Sequence, residues 1–195
     1  GAGKTTIVNL LSRFYNTDSG CVRIDGQDIS KVTLHSLRTQ MGVMMQDSFI
    51  FSGTIMDNIR YGNKTATDEE VIRAAKTVRA HDFIMQMEDG YQTQVNERGS
   101  RLSVGQRQLI SFARALLNDP AILILDEATS SIDTETEILI QDSLEKMKSV
   151  GTMLIVAHRL STIQHADNII VLSHGQIMEQ GTHQELLHLK GRYYQ

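Results

Sequence analysis

The chain has 195 residues and a formal net charge of −4, with 19 Lys and Arg against 23 Asp and Glu. Its 41% hydrophobic and 22% charged residues are typical of one globular domain and exclude a disordered chain. The mild acidity excludes a basic surface built for nucleic acid. No apolar run approaches the ~20 residues that span a bilayer.

The single cysteine, Cys21, excludes an internal disulfide framework. It lies in an apolar stretch with the alternation of a strand. We therefore expect Cys21 to be a buried structural thiol.

The first residues, Gly1-Ala2-Gly3-Lys4-Thr5-Thr6, match the second half of the phosphate-loop pattern G-x-x-x-x-G-K-[ST]. The first glycine of that pattern and the strand that feeds the loop would precede Gly1. We therefore expect a domain that is truncated at its N-terminus inside the phosphate loop. The alternative is a chance Gly-Lys-Thr at the start of a helix.

Apolar periodicity and turn residues predict the elements in chain order. Strands are expected at residues 20–26, 41–45, 121–125, 153–157, 168–172 and 176–179. Helices are expected at residues 6–14, 68–79, 81–87, from Ser103 to before Pro120, at 134–148 and after Thr182. Capping residues mark four of the helix starts: the pairs Thr67 with Glu70, Thr134 with Glu137 and Thr182 with Glu185, and Ser103.

Apolar strands that alternate with amphipathic helices predict an α/β fold with a mainly parallel sheet flanked by helices. Three of these strands end at reactive side chains: Gln46, Asp126-Glu127 and His158. Ligands of open parallel sheets bind beyond the carboxyl ends of the strands. These residues are therefore expected to meet at one active site.

Each of these residue types has chemistry that suits a nucleotide. Lys4 would place a charge at the β and γ phosphates, and the Thr5 hydroxyl would coordinate Mg²⁺. Asp126 can hold Mg²⁺, and Glu127 can accept a proton from an attacking water. The competing interpretation is a pair of solvent-facing acids. His158 could polarise the γ-phosphate, although a lone histidine is usually structural.

The segment Leu102-Ser103-Val104-Gly105-Gln106 resembles L-S-G-G-Q, the signature motif of ABC ATPases. The other motifs follow the order of that family: the phosphate loop, Gln46 as the Q-loop glutamine, residues 122–127 as Walker B, Ser130-Ser131-Ile132-Asp133 as the D-loop, and His158 as the switch histidine. The resemblance covers essentially the whole chain. It implies a P-loop NTPase-like fold over residues 1–195, with a helical subdomain at about 54–118 that carries the signature.

Longer strings resemble the exporter-type branch of the family. They are residues 51–60, which begin Phe51-Ser52-Gly53-Thr54, then Glu97-Arg98-Gly99 as an X-loop, and Gly181-Thr182-His183. Two positions depart from the pattern: Val104 stands where glycine is usual in the signature, and Asn96 stands where glycine is usual before the X-loop glutamate.

The resemblance implies the roles of the site residues. ATP and Mg²⁺ are the expected cofactors; Glu127, His158 and Gln46 are the expected catalytic residues, and Thr5, Gln46 and Asp126 the expected metal ligands. The nucleotide contacts implied are Gly1, Ala2, Gly3, Lys4, Thr5, Thr6, Ser103, Gly105, Gln106 and Asp133. Ser103 and Gly105 would serve the nucleotide of a second, head-to-tail copy or related domain.

Such a pair would hydrolyse ATP at the cytoplasmic face of a membrane and drive export through a transmembrane domain. One alternative is the regulatory half of a heterodimeric exporter, which binds ATP but hardly hydrolyses it; the presence of Glu127 and His158 favours a catalytic half. Another is a soluble ABC ATPase without a transport role, which the exporter-like strings disfavour.

Overall fold

The structure is a computed structural model that describes residues 3–44, 49–96, 102–126 and 132–195, without the side chain of Thr5. Its α-helices are α1 (Lys4–Leu11), α2 (Leu34–Thr39), α3 (Ile55–Arg60), α4 (Asp68–Thr77), α5 (His81–Gln86), α6 (Val104–Leu116), α7 (Thr134–Met147), α8 (Leu160–Ile163) and α9 (His183–Leu189). Its strands are β1 (Arg23–Ile24), β2 (Gln27–Asp28), β3 (Met41–Met44), β4 (Gly53–Thr54), β5 (Gln94–Val95), β6 (Ile122–Asp126), β7 (Thr152–Val156), β8 (Ile169–Ser173) and β9 (Gln176–Gly181).

The predicted α/β fold with parallel pairing is confirmed. Strand β3 pairs in parallel with β6, from Met41 opposite Ile122 to Met44 opposite Leu125. The order of this sheet is β3-β6-β7. In the described residues, the pairs β1–β2, β4–β5 and β8–β9 are antiparallel two-stranded ribbons.

The chain divides into two compact units, Gly1–Arg38 with Val156–Gln195, and Thr39–Ile155. The helical subdomain that the sequence predicts at about 54–118 remains a prediction. Within the second unit, helices α3 to α6 lie in that range. Among the described residues, no helix has both the length and the apolar composition that a bilayer span needs.

The core of the Thr39–Ile155 unit is built around α6. Leu109, Ile110 and Ala113, which the sequence places on one apolar stripe, are fully buried, as is Phe112. They share a core with Leu123 and Leu125 of β6 and with residues of α4 and α7. Helix α6 is therefore held at the centre of this unit by its apolar face, which leaves its N-terminus for other contacts.

The middle of α7 is tied to the end of α4. The Arg79 guanidinium lies 2.7 Å from the Asp142 carboxylate, and this ion pair lowers the pKa of Asp142. The hydroxyl of Ser143, which is fully buried, donates to the carbonyl oxygen of Val78. These contacts fix the position of α7 within the unit.

Two predictions of local structure are wrong. Cys21 is exposed, because the strand after it covers only Arg23–Ile24 and pairs only with β2 among the described residues. Thr134 is not a cap but the first residue of α7; the cap is Asp133, whose carboxylate accepts from the Thr136 N–H. An ionised carboxylate competes well for this position at a helix N-terminus.

Candidate functional site

The phosphate-loop residues lead directly into α1. Gly3 is its N-cap, with φ 103° and ψ 7°, a left-handed conformation that glycine adopts without steric cost. The helix begins at Lys4, two residues earlier than the apolar pattern predicts, and Lys4 and Thr6 are exposed. Free N–H groups and the helix dipole make this terminus suitable for an anion.

Gly1 and Ala2, the side chain of Thr5, and Gln46 and Glu127 lie outside the described part of the chain, as do Glu97-Arg98-Gly99 and Ser130-Ser131. The roles predicted for these residues therefore remain predictions.

The carboxyl edge of the parallel pair is defined by Met44 and Leu125, which lie opposite each other. Asp126 follows as the last residue of β6 and is half-buried. This places its carboxylate group at the edge where ligands of parallel sheets bind. His158 is exposed and follows β7 by two residues, in the unit that contains α1.

The signature residues form a complete capping box at the start of α6. The Ser103 hydroxyl oxygen accepts from the Gln106 N–H at 3.1 Å, and the Gln106 side-chain oxygen accepts from the Ser103 N–H at 3.0 Å. The predicted cap at Ser103 is confirmed, and Gln106 is the partner that completes it. Because the Ser103 oxygen accepts this bond, its hydroxyl hydrogen can still be donated to an external anion.

Gly105 is buried in the first turn of α6 against the start of α7. A Cβ at this position would overlap the Cγ2 methyl group of Thr136 and lie 3.0 Å from Cγ2 of Ile132. The glycine is therefore required by the close approach of the two helices rather than by its backbone angles.

Asp133 is the exposed N-cap of α7. Its carboxylate accepts from the Thr136 N–H at 3.0 Å and from the Thr136 hydroxyl at 2.9 Å. These two bonds lower the pKa of Asp133, the backbone N–H having the larger effect. The carboxylate is therefore ionised at neutral pH.

The sequence reasoning missed Thr136, which contacts two predicted site residues, Gly105 and Asp133. The signal that could have found its contact with Asp133 is the spacing Asp-x-x-Thr, in which the aspartate caps the helix that contains the threonine. Its contact with Gly105 requires the tertiary structure.

The family model described as ABC transporter matches residues 1–130. The chain belongs to the ABC transporter family. It is 58% identical over 193 residues to an uncharacterized ABC transporter ATP-binding protein, YknV, of Bacillus subtilis, and covers 32% of that protein. It is 53% identical to a putative multidrug export ATP-binding/permease protein of Staphylococcus aureus, of which it covers 33%.

Among solved structures, a bacterial Atm1-family ABC exporter with ATP bound matches with a TM-score of 0.90 and 47% sequence identity. The match covers 99% of this chain and 34% of that one, and the alignments to both relatives also cover 99% of this chain. The chain thus spans about a third of the length of the proteins it matches. The resemblance to ATP-binding domains of exporter-type ABC transporters is confirmed.

Proposed function

We propose that this chain binds and hydrolyses Mg-ATP within an ABC exporter at the cytoplasmic face of a membrane. It would pair head-to-tail with a second ABC ATPase domain and transmit the closure of that pair to a transmembrane domain. The relatives span about three times the length of this chain, and one is described as both an ATP-binding protein and a permease, which supports a transmembrane partner.

The observation that best supports this function is the signature helix. Ser103 is exposed, its backbone is held by a capping box, and its helix is anchored by a buried apolar face. A hydroxyl donor at a rigid helix N-terminus is suited to an incoming γ-phosphate. Because it is exposed, it is open to a ligand brought by another domain.

In the other half of the proposed site, Lys4 at the start of α1 would bind the phosphates of the nucleotide held by this chain. Asp126 and the Thr5 hydroxyl, with Gln46, would hold Mg²⁺. Oxygen donors of this kind match the preference of that cation. When bound there, Mg²⁺ would supply positive charge that offsets the negative charge of the phosphates.

Glu127 would accept the proton of the attacking water, and His158 would assist at the γ-phosphate. Hydrolysis would remove the γ-phosphate that joins Ser103 of one domain to the loop of the other. The domains would then separate. This sequence of closure and opening would provide the mechanical step of transport.

The experiment is a comparison of the intact transporter with its Glu127→Gln variant. The amide cannot accept a proton, so ATP hydrolysis should fall by about 10²–10⁴-fold, the range for general-base catalysis, whereas ATP binding should be kept. Cross-linking of the two ATP-binding domains in Mg-ATP should show the closed pair accumulating in the variant.

The matched control is Glu69→Gln, the same change at an exposed position in the first turn of α4. Its hydrolysis rate should stay within about twofold of wild type, a barrier difference of about 0.4 kcal/mol. A wild-type protein that binds ATP but hydrolyses it no faster than Glu127→Gln would overturn the proposal and favour a regulatory half.

A further inference from the structure

Thr136 lies in the first turn of α7 and contacts two motifs at once. Its hydroxyl and its backbone N–H donate to Asp133 at 2.9 and 3.0 Å. Its Cγ2 methyl lies in the space that a side chain at Gly105 would need. The hydroxyl group on the Thr136 Cβ therefore contacts Asp133, and the methyl group on the same atom contacts Gly105.

The methyl contact leaves no free space between the two helices. A Cβ at Gly105 would overlap Thr136 Cγ2, and would lie 3.2 Å from Thr136 Cβ and 3.0 Å from Ile132 Cγ2. The last two distances are tight and would require the neighbouring atoms to move by only a few tenths of an ångström. The Cγ2 methyl of Thr136 is thus the principal atom that requires glycine at position 105.

Helix α7 cannot yield easily to relieve such a collision. Its middle is held by the Arg79–Asp142 ion pair and by the Ser143 bond to Val78. Ile140, Leu144 and Met147 on the same helix are buried in the core. Position 136 is therefore presented to α6 by a helix that the rest of the unit keeps in place.

We propose that Thr136 is a positioning residue that sets the start of the signature helix and the D-loop aspartate in one fixed arrangement. This inference rests on the proposed function, in which Ser103, Gly105 and Asp133 meet the nucleotide and surface of the partner domain. The methyl group fixes how closely Gly105 at the start of α6 approaches α7. The hydroxyl orients the Asp133 carboxylate. Neither contact involves the nucleotide held by this chain.

The two contacts of Thr136 can be separated by substitution. Thr136→Ser keeps the hydroxyl and removes the methyl, whereas Thr136→Val keeps a methyl against Gly105 and removes the hydroxyl. Gly105→Ala adds the Cβ for which there is no room. In the double variant Gly105→Ala/Thr136→Ser, the colliding methyl is absent; in Gly105→Ala/Thr136→Val it remains and serves as the matched control.

The measurements are kcat and KM for ATP in the intact transporter, cross-linking of the paired domains in Mg-ATP, and Tm. Activity is assayed well below the lowest Tm, so that all variants are folded. Displacing a binding group by about 1 Å can cost 10²-fold in rate, so Gly105→Ala should lower kcat by roughly 10- to 100-fold. Its KM should stay within about twofold, because Lys4 and the rest of the phosphate loop, which would bind each nucleotide before the two domains pair, are unchanged.

The deciding comparison is rescue. Gly105→Ala/Thr136→Ser should regain at least about fivefold in kcat over Gly105→Ala and recover domain pairing, a barrier change of about 1 kcal/mol. Gly105→Ala/Thr136→Val should regain neither. Equal kcat and pairing in the two double variants would overturn the proposal, as would wild-type kcat in folded Gly105→Ala.

The single variants keep the inference testable if Gly105→Ala fails to fold. Thr136→Ser and Thr136→Val should each lower kcat with an unchanged KM; a wild-type kcat in both would exclude a positioning role. If the wild-type protein itself shows no hydrolysis or pairing, the proposed function fails rather than this inference.

Discussion

Ser103 combines two roles that substitution can separate: it caps α6, and in the proposed function it donates to the γ-phosphate of the partner's nucleotide. Ser103→Ala removes both. The lost bond from the Gln106 N–H, 3.1 Å in length, should cost about 1 kcal/mol, within the 0.5–2 kcal/mol known for helix caps. For a domain of 195 residues, that lowers Tm by roughly 2–4 °C.

Ser103→Asp keeps the cap and removes the donor. Its carboxylate can accept from the Gln106 N–H and is favoured by the positive end of the α6 dipole, so Tm should not fall. A hydrogen bond to a charged phosphate contributes about 1.5–3 kcal/mol. The equilibrium constant for ATP-driven pairing and the rate of hydrolysis should therefore fall by about 10- to 150-fold. Repulsion between the new carboxylate and the phosphate should lower both further.

The assay pairs steady-state ATPase rates with thermal unfolding of the intact transporter. Thr67 supplies the control, because it forms the same capping box with Glu70 at the start of α4 and has no proposed contact with nucleotide. Thr67→Ala should lower Tm as Ser103→Ala does, yet retain wild-type hydrolysis below its Tm. A Ser103→Asp variant with a hydrolysis rate within about threefold of wild type would show that Ser103 is only a helix cap.

Two further changes test the nucleotide loop and the core. Lys4→Ala in the intact transporter should weaken ATP binding about tenfold or more, because a charge-assisted phosphate contact is lost; an unchanged affinity in an ATP titration would remove the Gly1–Thr6 loop from the site. Asn58, fully buried, donates to the carbonyl oxygens of Phe51 and Thr54 and accepts from the Phe51 N–H. Asn58→Ala should therefore lower the free energy of unfolding by about 3 kcal/mol or more, since each buried group left unpaired costs about 1–3 kcal/mol; a loss below about 1 kcal/mol in urea unfolding would contradict this.

The sequence predicts well those elements whose signals are local. Ser103 caps α6 because its hydroxyl oxygen accepts from the backbone N–H of Gln106 one turn later, a spacing visible in the sequence. The same holds for the cap at Thr67 and for the apolar residues of β6. The family resemblance adds the order of the motifs, which the local patterns alone do not provide.

Features that depend on neighbours distant in sequence were missed. Cys21 has apolar neighbours in the sequence, but β1 begins only at Arg23, so the thiol stays exposed. The cap of α7 was missed for a different reason, because the sequence offers two local pairs, Thr134 with Glu137 and Asp133 with Thr136. The first pair was predicted, whereas the bond from the Thr136 N–H to the Asp133 carboxylate shows that the second forms the cap. The contact of Thr136 with Gly105 joins two helices and has no counterpart in either local sequence.

Val104 and Gly105 show how two adjacent positions of one motif come under different constraints. Val104 is the first residue of α6 and is half-buried; its helical backbone accepts any L-residue, and a β-branched side chain costs only a fraction of a kcal/mol there. Gly105 has the same helical conformation, but its Cα faces the methyl groups of Ile132 and Thr136. Position 104 therefore does not need glycine, because the helix can form with another residue there. Position 105 needs glycine, because there is no room for a side chain. This explains why the chain can depart from the family pattern at the first position while the second keeps the start of the signature helix against α7.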